Sequence, residues 1–215
     1  MGQGGQSRTY RGVDTEQRRA ERRERLLEAA LDEFTTHGYH KTKIADLCAR
    51  AGVSTRNFYE KFASKEALLL ELHAHINTEA MKRMLPVLDS LAGAEPLTRI
   101  TTLLDAFVSA VTSDPRYPRL NYVEAPGISQ AMELQHRDWF TRYTAFIEAE
   151  CDRAAEAGLA PKRDYHLTAI ALVGAVTGIL REWQSHRPPL PVEDVANEIR
   201  EVFLAAITRP VTRPA

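Results

Sequence analysis

The segment Thr42-Lys-Ile-Ala-Asp-Leu-Cys-Ala-Arg-Ala-Gly-Val-Ser-Thr-Arg-Asn-Phe-Tyr-Glu-Lys-Phe62 decides the fold of this chain. It divides into two short amphipathic pieces about one glycine. Thr42 to Ala51 places Ile44, Leu47, Cys48 and Ala51 on one helical face. Ser54 to Phe62 reads as a second short helix with Ser54 as its N-cap. Gly52, having no Cβ, suits the positive-φ position of a tight turn between them. Val53 plugs the angle, and Ala45 is small where the second helix must come close. Ile44, Leu47, Phe58 and Phe62 form a small shared core. Thr55, Arg56 and Asn57 are then exposed at the N-terminal end of the second helix. A recognition helix presents that end to base edges in the major groove.

The same helical periodicity extends outward in both directions. Upstream, Leu27, Ala30, Leu31 and Phe34 mark one face of a helix from Thr15 to His37, closed by Gly38. Downstream, Ser64 caps a long helix running to about Leu91. Four further helices are expected at 97–113, 130–157, 164–186 and 193–208, with a shorter piece at 120–124. Pro and Gly separate them. Alternating β-branched segments are absent, so the fold is expected to be all-α. The expected organisation is a disordered tail at 1–15, a helix-turn-helix domain at 16–63 and a helical bundle at 64–215.

Composition fits that plan. The chain has 215 residues, 44 % of them hydrophobic and 27 % charged, with a net charge of −1. This is the balance of a soluble globular protein and not of a bulk polyanion binder. Residues 1–75 hold 13 basic and 11 acidic side chains, a mild local excess that permits a phosphate-binding face. The two cysteines, Cys48 and Cys151, form no disulfide framework, so a reducing cytoplasm is expected. Ala169 to Leu180 is the longest nearly apolar run and is too short to span a bilayer.

Gly38-Tyr39, Thr42, Ile44-Ala45, Ala51-Gly52-Val53-Ser54, Phe58-Tyr59, Phe62, Ser64-Lys65-Glu66 and Leu68 together resemble the TetR (tetracycline-repressor-like) family of bacterial regulators. The resemblance covers about residues 20–75. It implies a homodimeric, ligand-responsive repressor of transcription, bound to a palindromic double-stranded DNA operator and released by a small apolar effector. By position, Thr55, Arg56 and Asn57 would face bases. Arg pairs with guanine O6/N7, and Asn with adenine N6/N7. Tyr59 and Lys65 would reach phosphates, Thr42 and Lys43 would touch the backbone, and Lys61 is a further phosphate candidate. Ser54 serves as a helix cap, a DNA contact or both, and Tyr59 has a core alternative. The run Arg18, Arg19, Arg22, Arg23 and Arg25, with Arg8 and Arg11, either adds phosphate contacts or forms a solvated face paired with Glu21, Glu24 and Glu28.

In the family the last two long helices form a four-helix bundle with their twofold mates, which implies dimerisation through 164–186 and 193–208. Gly174, Ala175 and Gly178 would let a partner helix approach, with Val195, Ile199, Val202, Phe203 and Ala206 as the second stripe. An ordinary intrachain core helix is the alternative. Aromatic residues at helical spacing are either core or pocket walls. The resemblance favours a ligand pocket lined by Phe107, Trp139 and Tyr143, with Tyr122 and Glu124 as polar contacts. No metal or cofactor is expected. His73, His75, His136, Cys151 and His166 lack CxxC or HExxH spacing. The small apolar neighbours of Cys48 and Cys151 suggest buried, inert thiols. GxSxG, GxGxxG after a strand and P-loop patterns are absent, so an enzyme is not expected.

Overall fold

A computed structural model describes residues 6–186 and 190–209, with side chains from residue 16 onward. Every regular element among them is helical. The chain forms two compact units that divide after Leu72. That point lies inside a helix, beyond the boundary at residue 63 expected from the sequence.

The first unit contains α1 (Gln6–His37), α2 (Ile44–Ala51), α3 (Thr55–Tyr59) and the first turns of α4 (Lys65–Ser90). The expected disordered tail is a correction at residues 6–15, which continue α1. No proline occurs before Pro86, so nothing upstream forces the helix to stop. Residues 1–5 of that expected tail lie outside the described residues, as do the side chains of Arg8 and Arg11. Gly38 ends α1 with φ 86°, and its N–H donates to Phe34 O at 3.0 Å. Leu26, Ala30, Phe34, Leu47, Phe58, Leu68 and Leu69 are buried in this unit, and the Phe58 and Phe62 rings pack 5.8 Å apart. Arg50 ties α2 to α1 through ion pairs with Asp32 and, at 3.5 Å, Glu33. Ala45 is exposed, so its small size is not required by packing within the chain.

The second unit holds the remainder of α4 with α5 (Pro96–Thr112), α6 (Arg116–Arg119), α7 (Gln130–Glu156), α8 (His166–Trp183) and α9 (Val192–Thr208). Residues Leu120–Glu124 form one π-helical turn, closed by Ala125 N–H donating to Leu120 O at 2.9 Å. Local chemistry sets the helix starts. Glu95 accepts from the N–H groups of Leu97 and Thr98 ahead of Pro96, and Ser129 accepts from Met132 N–H. Leu172, Val176 and Leu180 of α8 meet Val195, Ile199, Phe203 and Ile207 of α9 in one apolar core with α5 and α7. This corrects the expected dimer stripe on α9. Val195, Ile199 and Phe203 serve the chain's own core, and Val202 and Ala206 pack against it half-buried. No helix among the described residues is long and apolar enough to cross a membrane.

Candidate nucleic-acid interface and ligand cavity

The turn between α2 and α3 is built from backbone geometry. Gly52 lies at φ 62°, ψ 40°, the left-handed region, and Val53 N–H donates to Cys48 O at 3.0 Å. Ser54 is extended, and its hydroxyl accepts from Asn57 N–H at 3.1 Å. Buried Phe58 anchors α3 from below. These restraints turn Thr55, Arg56 and Tyr59 outward, with Asn57 half-buried beside them.

The Arg56 side chain is 89 % exposed and pairs with Glu60 at 3.2 Å. Such an exposed pair contributes little and exchanges readily for another partner. Tyr59 is 56 % exposed and meets Phe58 edge-on, so it is not core. The Thr55 hydroxyl touches the Cys48 thiol across the turn. Lys43 and Lys61 are exposed, and the Lys43 N–H donates to the Asp46 carboxylate at 3.1 Å.

Two expected phosphate contacts are spent on structure instead. Thr42 is only 3 % exposed, and its hydroxyl donates to Gly38 O at 2.9 Å. The Lys65 ammonium donates to Tyr39 O at 2.7 Å and Thr42 O at 2.8 Å, and it lies 4.2 Å from the Tyr39 ring centre. Burial there lowers its pKa. Both residues close the loop between α1 and α2. The carbonyls that capture them lie far from Lys65 in sequence, so the motif alone did not reveal this. The arginine run is mixed. Arg23 pairs with Glu24 and Glu71, while Arg18 and Arg19 are exposed.

The second unit encloses a cavity between α4, α5, the π-helical turn, α7, α8 and α9. It leaves about 80 Å³ for the centres of water molecules. Phe107, Tyr122, Trp139 and Tyr143 are on its wall. The Phe107 and Tyr143 rings meet at 5.3 Å and 71°, and Trp139 lies 6.1 Å from Tyr143. Burial raises the pKa of the Tyr122 and Tyr143 phenols, so both stay protonated hydrogen-bond donors. Glu124 is a correction: it is not on the wall but accepts from Arg119 at 3.0 Å. The π-helical turn directs Asn121 and Tyr122 inward, and Glu124 falls outside that arc.

Sequence reasoning missed the cavity's polar members. His73 and Asn77, at i and i+4 on α4, are both buried. The Tyr143 hydroxyl donates to Asn77 Oδ1 at 3.4 Å, and Gln135 Nε2 lies 2.9 Å from His73 Nδ1. Burial, with His136 nearby, pushes the His73 pKa down to about 4. Glu150, also on the wall, is buried against Arg99 at 2.7 Å. The i, i+4 polar pair inside an apolar helix face was the available signal for His73 and Asn77. Nothing local linked Arg99 to Glu150. Cys48 and Cys151 are buried, and burial pushes the Cys151 thiol up to about 12. Among the described residues, no three His, Cys, Asp or Glu side chains gather as a metal site.

The sequence profile of bacterial regulatory proteins of the tetR family matches residues 26–72. The chain is 39 % identical to the HTH-type transcriptional regulator YdgC of Bacillus subtilis over 62 residues, 29 % of this chain and about a third (32 %) of YdgC. It is 23 % identical to the HTH-type transcriptional repressor KstR2 of Mycolicibacterium smegmatis over 201 residues, 91 % of this chain and 95 % of KstR2. The fold matches the crystal structure of the regulator FadR from Bacillus subtilis in complex with stearoyl-CoA. The TM-score is 0.75 at 15 % identity, covering 85 % of this chain and 97 % of FadR. The matched segment spans the turn at Gly52 and the residues that hold α3 outward. Residues 26–72 thus carry the N-terminal domain of bacterial regulatory proteins of the tetR family, with an all-helical architecture behind it.

Proposed function

We propose that this chain is a cytoplasmic, sequence-specific DNA-binding repressor. It acts as a homodimer and leaves a palindromic operator when a small, mainly apolar molecule fills the cavity of the second unit. The observation that carries this reading is the outward face of α3, where Thr55, Arg56 and Tyr59 are exposed on a helix capped by Ser54 and anchored by Phe58. Packing within the chain gives Arg56 no duty beyond its ion pair with Glu60.

In this reading Arg56 and Asn57 read base edges, with Thr55 beside them. Tyr59, Lys43 and Lys61 hold phosphates. Two such heads must lie about one DNA turn apart, roughly 34–36 Å, which requires a dimer. α8 supports that requirement. Leu167, Ala171, Gly174 and Gly178 are exposed along one face of it. Ligand binding would favour a dimer whose heads are wrongly spaced, so operator affinity falls. FadR's stearoyl-CoA complex supports an effector with an apolar part, since the acyl chain of that ligand is apolar although its coenzyme A moiety is charged.

A mobility-shift assay on the DNA upstream of the chain's own gene, run as a salt series, tests the reading. Affinity should fall steeply with salt, as phosphate contacts release counterions. Arg56→Ala should weaken binding by about 1–3 kcal/mol and relax the preference at one base pair. A salt-independent shift would contradict the phosphate contacts, and a uniform loss on every DNA sequence for Arg56→Ala would contradict the assigned base contact.

A further inference from the structure

The π-helical turn brings two hydrogen-bond donors to the cavity wall, and the chain gives neither a partner. Tyr122 lines the cavity, and its hydroxyl makes no hydrogen bond among the described residues although its oxygen is not sealed off. Asn121 beside it also lines the cavity. Its Oδ1 is sealed within the wall, so the unbonded Nδ2, a donor, is the atom left to an occupant. Buried polar groups are as a rule bonded, and π-helical turns recur at functional sites. We propose that the cavity takes a small, mainly apolar carbonyl compound whose oxygen accepts from the Tyr122 hydroxyl, with Asn121 Nδ2 as the second donor. This rests on the reading of the cavity as the effector site.

Two of the wall's own acceptors are engaged elsewhere. Asn77 Oδ1 takes the Tyr143 hydroxyl at 3.4 Å. Glu150 Oε2 takes Arg99 Nε at 2.7 Å, and its Oε1 faces Arg153 Nε at 3.5 Å. Burial raises the pKa of the Tyr122 phenol, so its proton stays available to an occupant. A carbonyl oxygen has two lone pairs and no proton, so it can accept from a hydroxyl and an amide nitrogen without needing an acceptor in return. The body of the molecule follows from the rest of the wall. Phe107, Trp139, Phe140 and Phe146 line it, and aromatic side chains pack well against another ring. Size follows from the cavity, whose 80 Å³ holds about six water centres at roughly 10–15 Å³ each. A single aromatic ring bearing a short ketone arm fits that room.

Binding of acetophenone, and of ethylbenzene, which has nearly the same shape but no acceptor, is measured calorimetrically on the full chain and on Tyr122→Phe. In the variant acetophenone should bind about three- to tenfold more weakly, while ethylbenzene changes by no more than about twofold. Without ligand the variant should melt no lower than the native chain, because the lost hydroxyl has no partner inside it. Asn121→Leu should likewise weaken acetophenone and spare ethylbenzene, and an equal loss for both ligands there removes Nδ2 as the second donor. For Tyr122→Phe, equal losses for the two ligands, or no loss for acetophenone, overturn the inference. A Tyr122→Phe chain that melts lower or fails to fold overturns it too, by giving the hydroxyl a structural duty. No acetophenone binding at millimolar concentration by a chain that still shifts its operator overturns the inference and leaves the DNA-binding reading standing. The expected ketone selectivity in a chain that shifts no DNA overturns the regulator reading alone.

Discussion

Lys65 and Arg56 show how one motif conceals two fates for a cation. Both belong to a basic, helical stretch and both were expected to face DNA. Arg56 extends from α3 with 89 % of its side chain exposed, whereas the Lys65 ammonium is captured by two carbonyls and an aromatic ring. Motif spacing located each residue but not the direction of its charged end. That direction depends on carbonyls at Tyr39 and Thr42, more than twenty residues earlier. Lys65→Met should therefore act on folding. It leaves two carbonyls without their charged donor, at a cost of about 1–3 kcal/mol. Chemical denaturation should show the loss. The salt dependence of operator binding should keep the slope of the native chain, because no phosphate contact is removed. A slope reduced by about one would return Lys65 to the DNA interface.

At the scale of elements, helical periodicity was legible nearly everywhere, and what each face meets was not. The expected helix at 193–208 is present as Val192–Thr208, but its apolar stripe turns into the chain's own core. Periodicity identifies an apolar face without saying which neighbour covers it. Cavity walls were legible for the same reason, since Phe107, Trp139 and Tyr143 recur at helical spacing. Arg99 and Glu150 were not, because they pair between α5 and α7 across 51 residues. That pair is buried, with side-chain exposures of 10 % and 4 %. Replacing either partner alone by Met should cost about 3–5 kcal/mol, because a buried charge is left uncompensated. The double replacement Arg99→Met with Glu150→Met should recover most of that loss. Urea midpoints at constant m-value measure both steps. Equal losses in the single and double variants would show that the pair acts through packing alone.

At the scale of the whole molecule, α8 carries the strongest structural argument for a second copy. Its inner face, with Leu172, Val176 and Leu180, is consumed by the core. Its outer face leaves Leu167 at 77 % exposure, with Ala171, Gly174 and Gly178 following at helical spacing. A Cβ placed on Gly174 or Gly178 would meet nothing within 4 Å, so neither glycine is needed to fit a neighbour inside the chain. Two glycines inside a helix cost stability relative to alanine, about 1 kcal/mol each. Close approach of a partner helix would explain keeping them. Gly178→Arg separates the possibilities. The single chain has room for the new side chain, so helicity should be retained and thermal stability of the isolated chain should not fall. A dimer packed on this face would instead bury an unpaired charge. Light scattering should then report a monomer, and binding to a full palindrome should drop to the level of a single half-site. A variant that remains dimeric, or a native chain that is monomeric when dilute yet still binds its palindrome tightly, would remove α8 from the dimer interface.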